Sequence, residues 1–110
     1  MVQPYHITYG LQVGKTQRRG KIIKEILEFS ASVNPPSIAA NDGDKVAVTL
    51  TGVALGDYVI TQAPDDLEAG LFPGQAWVSA ADTVQLPLYN YTAGAVDGAA
   101  KTWKFLVIRP

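Results

Sequence analysis

"KVAVTLT", residues 45–51, decides how this chain is read. Val46, Val48 and Leu50 fall on one face of an extended strand, and Ala47 and Thr49 fall on the other. Side chains alternate across a strand, so this spacing marks a strand with one buried face. Further along, "DYVIT" (57–61), "AWVSA" (76–80), "TVQLPLY" (83–89) and "TWKFLVI" (102–108) repeat the theme. They are rich in Val, Ile, Thr, Tyr and Trp, which suit a pleated, half-buried surface. Between them stand "NPP" (34–36), "NDGD" (41–44), "LGD" (55–57), "APDD" (63–66), "GLFPG" (70–74) and "AGAVDG" (93–98). Turn signals every ten residues or so predict an all-β fold, an antiparallel β-sandwich of jelly-roll type with about six to eight strands. The expected core is Val46, Val48, Val59, Val84, Leu86, Trp103 and Phe105. Pro87 lies inside a strand pattern and has no N–H to donate, so that strand is predicted to be an edge or to be bulged there.

Toward the N-terminus the pattern is ambiguous. In "GKIIKEILEFSAS" (20–32), Ile22, Ile23, Ile26 and Leu27 recur at helical spacing, while Ile23, Leu27 and Phe29 share a strand face. The β-rich remainder favours a strand over 25–31. The expected organisation is a basic N-terminal arm, residues 1–24, followed by one sandwich domain, residues 25–110.

Composition narrows the function. The chain has no cysteine, which excludes a disulfide framework, a zinc finger and thiol chemistry. "MVQPYHITYG" has neither the charged nor the apolar segment of a secretory signal. No apolar run approaches the ~20 residues of a membrane span. Charge is unevenly placed. Residues 1–28 carry five basic and two acidic side chains, and residues 29–110 carry four basic and eight acidic ones.

The basic stretch "VGKTQRRGK" (13–21) contains Gly14-Lys15-Thr16, the end of a phosphate-binding loop. The preceding glycine of that motif must stand five positions earlier, and Gly10 stands four earlier. Nucleotide binding is therefore not expected. Lys15, Arg18, Arg19, Lys21 and Lys24 near Tyr5, His6 and Tyr9 could track a nucleic acid. The acidic body and a pI near 5.6 argue against it.

His6 is the single histidine, so no imidazole pair is available for catalysis. Asp65, Asp66 and Glu68 read as solvated residues of a turn after Pro64. "NDGD" misses the ligand spacing of a calcium loop and reads as a turn. No enzyme activity, metal or cofactor is expected. Trp77 and Trp103 read as core residues. Trp103, Phe105 and Val107 share one face of their strand, yet Leu106 and Ile108 make the opposite face apolar too. That marks a central strand or an outer face covered by another subunit.

The segment Ser32 to Ile108 also resembles a known group. The features are "TGVALGD" (51–57), an L-x-x-G-L (67–71), "AWVSAADTV" (76–84), an N-x-T (90–92) and a closing strand with Trp. Together they resemble small β-rich virion proteins of tailed bacteriophages, cyanophages included. The resemblance implies a capsid decoration (cement) protein bound to the major capsid protein. Its alternative is a tail fibre, spike or knob component for host attachment or tail assembly. Either implies a virion location after assembly in the host cytoplasm, with no nucleic-acid or membrane partner. The basic arm departs from the shared pattern. Tyr5, Ile7, Tyr9, Leu11 and Val13 alternate, so the arm is expected to add a strand to a neighbour's edge. Its expected partner-binding residues are Tyr5, Tyr9, Lys15, Arg18, Arg19 and Lys21. A homotrimer is expected, held through Leu106 and Ile108 together with Pro87, Tyr89 and Tyr91.

Overall fold

The closing segment "KTWKFLVIR" forms a nine-residue strand that organises half of the molecule. The structure, a computed structural model, describes residues 23–110. Among them are nine strands: β1 (Glu25–Val33), β2 (Ser37–Ile38), β3 (Asp42–Thr49), β4 (Tyr58–Gln62), β5 (Leu71–Pro73), β6 (Trp77–Ala80), β7 (Thr83–Asn90), β8 (Val96–Asp97) and β9 (Lys101–Arg109). All pairings are antiparallel. β9 lies between β1 and β4 in one sheet, and β7 lies between β3 and the β5–β6 side in the other. β2 and β8 form a separate two-stranded ribbon.

The inner faces meet as the alternation requires. β9 contributes Trp103, Phe105 and Val107, and β7 contributes Val84, Leu86 and Leu88, all essentially without solvent contact. Val33, Ile38, Val48, Leu50, Val53, Val59, Leu71 and Val78 complete the core. Burying a side chain of this size stabilises the fold by about 1.5–3 kcal/mol relative to exposure, so these rows carry the sandwich. The expected all-β antiparallel class holds. Val46 is only half-buried and packs at the core's margin, because β3 is an edge strand. The ambiguity over residues 20–32 resolves as strand for 25–33: Leu27 and Phe29 face the core, and Ile26 pairs with Ile108 on the outer face. The expected arm, residues 1–24, lies outside the described residues except for its last two.

Pro87 sits in a central strand that pairs with β3 in unbroken register, so the edge and the bulge expectations both fail, and the irregularity lies in the facing strand instead. β5 and β6 are two pieces of one broken strand along β7. From Pro73 opposite Leu88 to Trp77 opposite Gln85, the chain advances four residues while β7 is traversed by three. The extra residue lies in Gly74–Ala76. The Pro87 carbonyl accepts a bond from the Gly74 N–H at 2.9 Å, so its nitrogen faces the same break. A missing N–H costs nothing where the neighbouring ladder is already interrupted.

Candidate functional site

Two outer faces stand out, one per sheet. On the β1–β9–β4 sheet, Ile26, Ile108 and Tyr58 form one cross-strand row, and Leu106 lies in the next between Ile60 and the exposed Glu28. Ile60 is 55% exposed and Tyr58 62%. A charged row follows, with Lys104 between Ser30 and Gln62. The apolar outer face expected from Leu106 and Ile108 is therefore present, and β9 is the central strand that the two-faced pattern implied.

On the β3–β7 sheet the outer face is aromatic. Phe72 and Tyr89 are cross-strand partners with ring centroids 5.6 Å apart, and Tyr91 lies 6.1 Å from Phe72. Trp77 is opposite Gln85 on the same face, with Lys45 Nζ 5.9 Å from its ring centre. These rings line two adjoining grooves, of about 670 and 430 Å³, that share Asp42, Gly43 and Tyr89. Trp77 was expected in the core, but it is 42% exposed while Trp103 is 1% exposed. The cause is the extra residue at 74–76. Strict alternation from inward Leu71 would turn position 77 inward, and one inserted residue reverses that.

The groove wall is locally fixed. A Cβ on Gly43 would stand 2.6 Å from Tyr89 Cδ1, and one on Gly74 would stand 2.8 Å from Cε2. The Tyr89 ring thus lies against two backbones that only glycine leaves open. Asp42 Oδ1 accepts from the Gly43 N–H and Asp44 Oδ1 from the Lys45 N–H, each at 2.8 Å. Gln75 Nε2 donates to Val59 O and Ala76 O, both at 2.9 Å, which leaves its amide oxygen as an acceptor.

The remaining polar clusters hold the fold. Asn90 is buried; its Nδ2 donates to the carbonyls of Ile38, Ala39 and Gly94, and its Oδ1 accepts from the Thr92 N–H and hydroxyl. The N-x-T stretch is therefore a structural clamp. Arg109 forks onto Asp57, donating to Oδ1 at 3.2 Å and Oδ2 at 2.8 Å, and also reaches Glu25 and the Gly52 carbonyl. The Arg109 guanidinium holds the Asp57 carboxyl below its ordinary pKa, with the Ala54 N–H assisting against burial.

Sequence reasoning set Asp65, Asp66 and Glu68 aside as solvated. Glu68 is instead a partner of Lys101 at 3.2 Å and of the Ala99 N–H at 2.9 Å. The Ala99 N–H is the main reason its carboxyl is also held low. Among the described residues no group of three or more His, Asp or Glu is placed to hold a metal ion.

The expected partner-binding residues Tyr5, Tyr9, Lys15, Arg18, Arg19 and Lys21 lie outside the described residues. Of the residues expected at a trimer contact, Pro87 and Tyr89 belong to the opposite sheet from Leu106 and Ile108. Comparison with family models, with curated proteins and with solved structures returns no match.

Proposed function

We propose that this protein is a virion structural protein of the capsid-decoration type, a homo-oligomer that binds the major capsid protein. The observation that carries the reading is the apolar outer face of the β1–β9–β4 sheet. Ile26, Tyr58, Ile60, Leu106 and Ile108 adjoin one another there. Contiguous apolar surface of this kind is typical of protein contacts. Asp57 and Glu68 pair with Arg109 and Lys101 within the fold, a structural use of charge that suits a surface clamp. In this reading the basic arm, through Tyr5, Tyr9, Lys15, Arg18, Arg19 and Lys21, reaches the neighbouring capsid subunit.

Sedimentation equilibrium of the full chain tests the self-association. The expected species is a trimer, and Ile60→Glu should reduce it to monomer without loss of β-sheet circular dichroism. A wild-type monomer at micromolar concentration would contradict the reading. Counting copies in purified particles tests the location, with hundreds per particle expected for decoration. A tail-attachment role is the second reading, favoured by the aromatic grooves on the opposite sheet, and it predicts tens of copies or fewer.

A further inference from the structure

We propose that the aromatic groove on the outer face of the β3–β7 sheet binds a neutral polysaccharide chain. Flat aromatic faces stack on the C–H faces of sugar rings, and fixed acceptors around them take up the hydroxyl donors. This groove offers both. Trp77, Tyr89, Phe72 and Tyr91 present partly exposed rings along one side of the molecule. Asp42, Asp44 and Gln75 place acceptors at its margin.

Four observations favour this ligand over others. The grooves are open and joined end to end, which suits a chain more than a compact small molecule. Phe72 is tilted by 44° to Tyr89 and by 54° to Tyr91, so the rings offer faces at different angles to a bound chain. The two carboxylates outnumber the single cation, Lys45, and would repel a nucleic acid or a sulfated glycan. Each carboxylate has one oxygen held by a backbone N–H, and no hydrogen bond among the described residues engages Oδ2 of either. A hydroxyl-rich neutral ligand complements that set, whereas an apolar peptide face would leave both carboxylates without donors.

The site is also built in advance. Gly43 and Gly74 seat Tyr89, the Gln75 amide is tied to Val59 and Ala76, and the bulge at 74–76 turns Trp77 outward. Such fixing lowers the ordering cost of binding and raises affinity for a given contact. The site meets the apolar face at one border, where Trp77 and Gln75 share a groove of about 460 Å³ with Tyr58 and Ile60, and its argument does not depend on the assembly reading.

The test uses the full chain in affinity electrophoresis through gels containing barley β-glucan, xylan, galactomannan, dextran or hydroxyethylcellulose. Retardation by at least one of these is expected. Of the two tryptophans only Trp77 is exposed, so the same polysaccharide should shift the emission and protect it from acrylamide quenching. Trp77→Ala and Phe72→Ala should each weaken binding by about tenfold, the loss expected for one stacked ring, with unchanged circular dichroism. Ile26→Glu, on the apolar face but lining neither groove of the site, should bind as the wild type does, which separates this site from the assembly face. Retardation by none of the five polymers would sink the proposal. So would equal binding by Trp77→Ala, or stronger binding to oligo(dT) or heparin. If Trp77→Ala changes the sedimenting species while no polymer binds, the groove is a contact between copies and the proposal fails.

Discussion

Asn90 is the residue on which most separate segments depend. Its side chain joins the end of β7 to the carbonyls of 38, 39 and 94 and to Thr92. Asn90→Ala should destabilise the protein by about 3 kcal/mol, since buried carbonyls lose their donor, and urea unfolding would measure it. A loss under 0.5 kcal/mol or so would mean that the network has other support. The Asp57–Arg109 fork gives a second outcome, with a sign. Asp57 is 3% exposed at its side chain and its folded pKa is lowered. The unfolded state therefore binds more protons as pH falls below ~4, so this contribution is complete above that value and disappears as pH drops through the folded pKa. Glu68 acts in the same direction. The thermal midpoint should be level above about pH 5 and decline below pH 4, and Asp57→Asn should flatten the decline. A midpoint that rises on acidification would contradict the assignment. Neither residue carried a sequence signal. Asn90 reads like any turn residue, and Asp57 and Arg109 meet only through pairing of distant strands.

The strands were another matter. β3, β4, β6, β7 and β9 were all visible as alternating runs, because a half-buried strand leaves a period-two trace. β2, β5 and β8 were not, since two or three residues are too few to show a period. The aromatic groove escaped for a different reason. Trp77 follows a bulge, and the face of every residue after a bulge is reversed relative to the pattern before it. Deleting Gln75 tests this directly. It should leave Trp77 opposite Gln85 with its ring outward, because three steps from Pro73 then match three along β7, while loss of the Gln75 amide bonds lowers stability by about 1 kcal/mol in urea unfolding. A blue-shifted Trp77 emission in the deletion variant would show that the extra residue does not lie in Gly74–Ala76.

For the molecule as a whole, the described residues supply a complete core of their own. Among the described residues none before Leu27 contributes to it. Deleting residues 1–20 should therefore leave the β-sheet circular dichroism and the thermal midpoint unchanged, while particle binding, in the decoration reading, is lost. Unfolding of the shortened chain would show that the N-terminal stretch is part of the structure it was expected to extend from.

The place of β9 has a consequence during synthesis. β9 is the middle of its sheet, and Arg109 pairs with Glu25, 84 positions away. β1 and β4 have no partner in the sheet until residues 101–109 exist, so a nascent chain must carry both strands with open edges until its last residues are made. Such distant pairings slow folding and prolong exposure of sticky backbone. A protein made in many copies at once would then be held in solution by charges along β1, such as Glu25 and Glu28, and by any chaperone that reaches the ribosome before β9 does.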